Sequence, residues 1–409
     1  MDLVADRDFF PWAESVFRAV APWTAGVPHI ERNFLTARVE IRQDSELLRL
    51  DLAGFRGESY PVPGALPRVC PGSFEDDAKR RDFPVNALYL EWNPQKKIFS
   101  RLLDPFGGEA DLARRQFSLI RPEAFREDPT RIFRWARLAG RLGFSSSPAL
   151  RASLRGALGE PSLWREVGRA RVAAEMDRLQ RESHPLDATR LLFSSGVFSS
   201  LTEKALSRLS PGRFLRLRRW VALRDLLDTI GQEERAWAGA SREMFFLALL
   251  SGLRRPVLER AAESLGVGSR LRHTLLEALF HPASWPGGRS YEGLIECAGG
   301  DKGRLMGFAD RMSTEKVLYS LLRCTEEELD LWREYLCEGR NLPPLIGGEV
   351  LLHYPAIAPD KRKSLLAEIR FRQRTGELRS RSEAVDWIEA SASNPGATDD
   401  PGLANVKLP

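Results

Sequence analysis

Apolar residues recur at helical spacing over residues 9–20, where Phe10, Ala13, Val16, Phe17 and Val20 share a face and Pro11 suits a first turn. Residues 34–41 (FLTARVEI) and 47–53 (LLRLDLA) alternate instead, which predicts strands. Residues 86–93 (NALYLEWN) predict a third strand, turning at Asn93-Pro94, while SYPVPGALP (59–67) is a loop broken by proline and glycine. From about residue 110 the period becomes helical, and Leu, Ala and Arg dominate almost to residue 390. Pro148, Pro161, Pro185, Pro211-Gly212, Pro256 and Pro286-Gly287-Gly288 punctuate this stretch into a string of helices. The pattern predicts an α+β chain, with a small mixed sheet first and an all-α remainder. Residues 390–409 are polar and turn-rich, which predicts a disordered tail.

At 409 residues the chain has room for two or three domains, and 43% hydrophobic with 29% charged residues is a globular composition. No run approaches the roughly 20 apolar residues of a membrane helix, and the first residues carry no cleavable signal. The net charge of +5 and a pI near 9.1 come mainly from arginine. They fit a polyanionic partner and equally a solvated surface. Cys70, Cys297, Cys324 and Cys337 form no CxxC pair, and no histidine has ligand spacing, which argues against zinc or a disulfide framework and for a cytoplasmic setting. His184 and His273 lack an adjoining Asp, so no phosphohydrolase signature is present.

Three segments carry candidate chemistry. Arg80-Arg81-Asp82-Phe83-Pro84-Val85-Asn86-Ala87 leads into a strand. It reads either as a surface turn with a local ion pair or as a guanidinium and carboxylate that bracket a ribose, one donating to and one accepting from its hydroxyls. Glu127-Asp128-Pro129-Thr130-Arg131-Ile132-Phe133-Arg134 opens a helix, with Asp128 as a candidate cap and Pro129 in the first turn. Arg131, Arg134 and Arg137 follow three apart, which makes either a solvated arginine face or a receptor for a triphosphate. Leu103-Asp104-Pro105-Phe106-Gly107-Gly108 reads as a turn and helix start that joins the two regions. In the helical remainder, Arg213, Arg216 and Arg219 are candidate phosphate contacts for RNA, or one solvated helix side.

In this order and spacing the segments RRDFPVNA, DPFGGEADL and EDPTRIFR resemble the class II tRNA nucleotidyltransferase and bacterial poly(A) polymerase family. Members carry RRDFTINA-like, DPFGG and EDPLRILR-like segments; Pro84 here replaces the usual Thr. Asp51-Leu52-Ala53-Gly54-Phe55-Arg56, and Tyr60 through Pro67, resemble the family's stretch ending in PGALP, while residues 342–348 and 375–384 resemble its tail. The resemblance implies a polymerase-beta-like nucleotidyltransferase head over residues 1–115. A neck with the nucleotide-selecting helix (116–180), a helical body (181–330), a helical tail (331–392) and the disordered end (393–409) follow.

It implies transfer of CMP or AMP from CTP or ATP to the 3′ end of tRNA, as CCA, CC-only or A-only addition, with Mg²⁺ as cofactor. Poly(A) tailing of RNA, or RNA binding without catalysis, are the alternatives. Arg81 and Asp82, with Asn86, take the ribose-reading place; Asp128 and Arg131 the base-reading place; Arg134 and Arg137 the triphosphate place. Asp2 matches the second aspartate of the family's metal-binding DxD motif, and Asp51 a third acid beside it. The first aspartate and the glycine-rich loop before it have no counterpart, so the resemblance implies truncation at the amino end.

Overall fold

The alternation in the first third builds a four-stranded sheet. Its strands are β1 (Asp2–Ala5), β2 (His29–Glu31), β3 (Thr36–Gln43) and β4 (Glu46–Gly54), in the order β1-β4-β3-β2. β1 runs parallel to β4; β3 is antiparallel to both β4 and β2. The computed structural model describes residues 2–5, 8–43, 46–93, 95–280, 298, 301–310, 312–337, 342–355 and 357–393. The predicted break at 286–288 and the predicted tail beyond residue 393 lie outside them.

Side chains alternate across a strand, so the sheet has two unlike faces. Leu3, Leu52, Ala37 and Ile30 are register partners on one face. There α1 (Phe9–Val20) packs Phe9 and Ala13 against Ala37 and Leu52. On the opposite face Val4 packs, with Phe55, Phe74 and Leu103, against a buried cluster of Ala78, Ala87 and Tyr89. The ribbon β5 (Arg56–Ser59) with β6 (Arg68–Pro71), helix α2 (Phe74–Lys79) and the hairpin β7 (Tyr89–Asn93) with β8 (Ile98–Leu103) complete this region. The predicted strand at 86–93 is shorter than expected. Residues Pro84–Asn86 form a 3₁₀ turn, because Pro84 lacks an N–H and the Asn86 side chain is tied back to Asp82 at 2.9 Å.

The glycine turn joins sheet to helices as expected. Asp104 accepts from the N–H of Gly108 (2.7 Å) and of Glu109 (3.0 Å), capping α3 (Gly108–Arg114). A Cβ on Gly108 would sit 2.4 Å from the Pro84 carbonyl oxygen, so only glycine lets α3 abut that turn. Helices α4 (Ala124–Glu127), α5 (Thr130–Leu142), α6 (Pro148–Leu158), α7 (Arg169–Gln180), α8 (Pro185–Ser194) and α9 (Val197–Leu201) follow. α5 buries Ile132, Phe133, Trp135, Ala136 and Ala139. Pro148 and Pro185 open their helices, as the first-turn preference of proline predicts.

These elements belong to one of two compact units, Met1–Arg208 with Ser264–Gly266; the other is Leu209–Glu263 with Val267–Pro409. In the second unit α10 (Pro211–Glu233) packs against α11 (Ala240–Leu250), whose residues Met244–Leu250 are all buried. The Trp220 indole N–H donates to the Ser241 carbonyl at 2.9 Å. Ile346, Leu351, Ile369, Leu378, Ala384 and Ile388 form a separate core near the end of the chain. No helix among the described residues is long and apolar enough to cross a membrane.

Candidate active site

Strand register sets the acidic edge. Asp2 on β1 is the Cα partner of Asp51 on β4, and Asp51 is the partner of Arg38 on β3. All three face away from α1, and Arg38 Nε donates to Asp51 Oδ1 at 2.5 Å. Asp2 is exposed and the Asp51 side chain is 37% exposed, so both carboxylates meet solvent. Two adjacent carboxylates fit a hard divalent cation such as Mg²⁺, which keeps several waters and takes one or two protein carboxylates. Among the described residues no group of three or more potential ligands gathers. Asp2 shares its face with Val4, and Val4 packs on Ala78, Ala87 and Tyr89. The acidic edge and the RRDF segment therefore lie on the same side of the sheet.

The RRDF segment is organised by a residue outside it. Asp77 is fully buried within α2. Its Oδ1 takes Arg80 Nε (2.9 Å) and Nη2 (2.6 Å), and its Oδ2 takes Arg81 Nη2 (3.1 Å) and the Tyr89 hydroxyl (2.8 Å). Burial alone would raise the Asp77 pKa; the two guanidiniums and the Tyr89 hydrogen bond outweigh it and hold the carboxyl below its usual range. Burial pushes the Tyr89 phenol up, which keeps it a donor. Arg81 also donates to the Asn86 carbonyl at 2.7 Å and lies over the Tyr89 ring, 4.6 Å from its centroid. Asp82 is buried; its Oδ1 accepts from the Phe83 N–H and the Asn86 amide, both at 2.9 Å, and its Oδ2 pairs with Arg134 Nε. Arg81, Asp82, Asn86 and Arg134 thus form one connected group.

The three arginines spaced three apart on α5 part company. Arg131 points inward, 7% exposed, and its Nη2 donates to the Tyr60 hydroxyl (3.1 Å) and the Arg80 carbonyl (2.8 Å). Its Nη1 has no hydrogen-bond partner and faces Glu127 Oε2 at 3.6 Å. Tyr60 donates in turn to Glu58 Oε2 at 3.0 Å, and burial pushes its phenol up as well. Arg134 is the exposed member of the three, with 52% of its side chain accessible. Arg137 is taken by Glu182 (2.9 Å) and Glu175 (2.7 Å), so its guanidinium serves helix packing and is not presented as an open anion receptor. Asp128 accepts on Oδ1 from the Thr130 N–H (3.0 Å), the Thr130 hydroxyl (2.6 Å) and Arg171 Nη2 (2.6 Å).

The arginines expected to face RNA need correction. Arg213 and Arg219 are 8% and 7% exposed. Arg213 Nε donates to the Leu249 carbonyl (2.8 Å), Arg216 to those of Ala248 (3.4 Å) and Ser251 (3.2 Å), and Arg219 to that of Leu322 (3.1 Å). They satisfy the last carbonyls of α11 and of the helix Thr314–Arg323, where a cation also favours the helix dipole. Burial lowers the pKa of Arg213 and Arg216. Trp135, Trp220 and Trp237 are buried and Trp164 is half-buried.

Sequence reasoning did not single out Asp77, Tyr60 or Arg171. The spacing of Asp77 to Arg80 and Arg81 is legible as a helical pair, but its burial is not. Arg171 meets Asp128 only through the packing of α7 on α5.

A family model for the poly A polymerase head domain matches residues 5–118. The chain is 36% identical over 170 residues to the A-adding tRNA nucleotidyltransferase of Aquifex aeolicus, which covers 42% of this chain and 20% of that protein. It is 32% identical over 241 residues to the CC-adding tRNA nucleotidyltransferase of Deinococcus radiodurans, covering 58% and 56%. The chain therefore spans only part of the length of these relatives. Among solved structures, a CCA-adding enzyme in apo form II superposes with a TM-score of 0.75 at 21% identity, over 95% of this chain and 87% of that one. A Thermotoga maritima CCA-adding enzyme complexed with tRNA gives 0.68 at 19% identity, over 95% and 86%. At such identities the structural likeness speaks for the fold alone. Residues 5–118 thus match the poly A polymerase head domain, and over part of its length the chain is similar to A-adding and CC-adding tRNA nucleotidyltransferases.

Proposed function

We propose that the protein transfers CMP, AMP or both from CTP or ATP to the 3′ end of tRNA, in the cytoplasm. One observation carries the reading: the Asp2–Asp51 pair lies on the sheet face that packs toward the Arg81–Asp82–Arg134 group. Carboxylates for a cation and a guanidinium–carboxylate set for a nucleotide then border one space. The family is one of divalent-cation enzymes, and we take the ion here to be Mg²⁺, held by Asp2 and Asp51. When bound, it neutralises triphosphate charge and lowers the pKa of the attacking hydroxyl.

The chain's own residues supply position. Arg81 and Asp82 bracket the ribose, and Asn86 fixes the Asp82 carboxylate. Arg134, exposed beside them, meets the triphosphate. Asp128 faces the base edge, with Arg131 behind it, held inward by the Tyr60 hydroxyl and the Arg80 carbonyl. The primer 3′ oxygen forms a bond to the α-phosphorus, the bond from that phosphorus to the bridging oxygen breaks, and pyrophosphate leaves. Arg137 contributes by holding α5 in place through Glu175 and Glu182.

The test is primer extension with Mg²⁺ on tRNAs ending before C, after C, after CC and after CCA, with CTP and ATP offered separately. Extension of one or more of these primers is expected, and the accepted primer names CCA, CC-only or A-only addition. Long adenylate tails on unrelated RNA would favour the poly(A) alternative. tRNA binding with no incorporation at any primer would leave a non-catalytic RNA-binding protein.

A further inference from the structure

The Asp128 carboxylate has two unlike oxygens. Oδ1 is saturated by the Thr130 N–H (3.0 Å), the Thr130 hydroxyl (2.6 Å) and Arg171 Nη2 (2.6 Å). Oδ2 has no donor among the described residues, and 17% of the side chain is exposed. The Thr130 contacts are local and turn with the backbone of the helix start. Arg171, 43 residues away, is the tertiary anchor. Its guanidinium spans two partners: Nη1 donates to the Gly64 carbonyl at 2.7 Å while Nη2 holds Asp128. Gly64 answers by donating its N–H to the Glu127 carbonyl at 3.0 Å. It does so with φ at +80°, in the left-handed region that glycine favours. The proline–glycine loop, the start of α5 and α7 are therefore closed into one ring.

We infer that Arg171 is a positioning residue for nucleotide selection: it pins Oδ1 of Asp128 so that Oδ2 is presented, in a fixed plane, to the amino group of an incoming base. Cytosine carries an exocyclic N4 amino donor and adenine an N6 amino donor, whereas guanine and uracil carry carbonyl oxygens at the corresponding positions. A pinned carboxylate oxygen accepts from the first pair and repels the second. A carboxylate free to rotate and to be hydrated discriminates less, because water substitutes for the missing donor. Discrimination built on a buried hydrogen-bonding group is strong because the wrong partner leaves it unsatisfied. The inference rests on the reading of Asp128 as a base-facing residue.

The experiment is equilibrium binding of ATP, CTP, GTP and UTP, each with Mg²⁺ and no primer, to the wild-type chain, Arg171→Ala, Arg171→Lys, Asp128→Asn and the Arg171→Ala/Asp128→Asn double variant. For the wild type, ATP and CTP are expected to bind more tightly than GTP and UTP. Arg171→Ala is expected to shrink that ratio about tenfold or more, with GTP and UTP affinities held within about twofold. Arg171→Lys, which reaches one partner as a point charge, restores part of the ratio. In the Asp128→Asn background Arg171→Ala removes no further discrimination, because Arg171 acts through Asp128. Full discrimination retained by a folded Arg171→Ala overturns the inference. So does an additive loss in the double variant, which marks a general packing role. If Arg171→Ala fails to fold, Arg171→Lys decides: an unaltered ratio with one partner abandoned overturns the inference. A wild-type chain that binds no nucleotide takes down the underlying function as well, and that outcome is read before any variant.

Discussion

Asp77→Asn is the sharpest probe of the head. Asparagine keeps the shape of the side chain but removes the charge that receives Arg80, Arg81 and Tyr89. Breaking a buried ion pair by neutralising one partner costs about 3–5 kcal/mol. Two features pull the value toward the lower end. Arg80 keeps Glu58 at 3.2 Å, and 30% of the Arg81 side chain reaches solvent. A loss of roughly 3 kcal/mol remains, a large share of the ~5–15 kcal/mol that holds a domain folded. At ~2–4 °C per kcal/mol for a unit of this size, the midpoint falls by roughly 6–12 °C. Urea titrations at fixed temperature, followed by tryptophan fluorescence, measure the loss.

The pH profile supplies a second check. The Asp77 carboxyl is depressed in the folded state, because the guanidiniums and Tyr89 outweigh the burial that works against it. Its stabilisation is therefore fully present above the unfolded carboxyl pKa of ~3.9 and is lost as pH falls through the lower folded value. The gap between wild type and Asp77→Asn should be constant from pH 7 to pH 5 and close only in acid. A gap under about 1 kcal/mol at pH 7, or one that closes between pH 7 and 5, would refute the hub assignment.

Other substitutions test separate features. Gly64→Ala places a Cβ 3.2 Å from Val167 Cγ2 at a φ of +80°, and should cost about 1–3 kcal/mol by thermal unfolding. A loss within 0.5 kcal/mol, about the usual surface-substitution scatter, would contradict the loop geometry. Glu243 is raised to about 7 by burial and by the nearby Glu315. The folded state thus holds a proton that the unfolded state releases from pH ~4.5 upward, and stability falls between about pH 4.5 and 7. Glu243→Gln should stabilise by on the order of 1–2 kcal/mol at pH 8, after discounting for solvent screening, and should be neutral at pH 4; melting points at the two pH values decide it. Arg219→Met should lower stability by roughly 2–3 kcal/mol, since it leaves the Leu322 carbonyl unsatisfied. The salt dependence of tRNA binding should stay unchanged, whereas a lost phosphate contact would lower its slope by about 1.

The sequence determined the elements that depend on neighbours along the chain. The helix at 9–20, the two long strands of the sheet, the helix-opening prolines and the Asp104 turn all follow from periodicity, fixed φ or a cap a few residues away. The segments that carry Arg81, Asp82, Asp128, Arg131 and Arg134 stand out as motifs as well, because their order and spacing are local. Tertiary structure decided what those side chains do. Register between strands distant in sequence put Asp2 beside Asp51. Burial turned Arg213 and Arg219 into caps for carbonyls 36 and 103 residues away. Equal spacing of Arg131, Arg134 and Arg137 concealed three different fates: an inward hydrogen-bonded link, an exposed pair with Asp82 and a packing ion pair with α7 and Glu182. An arginine's charge is written in the sequence, but its availability depends on which carboxylates and carbonyls the fold brings to it, and those partners are set only when distant helices close around one core.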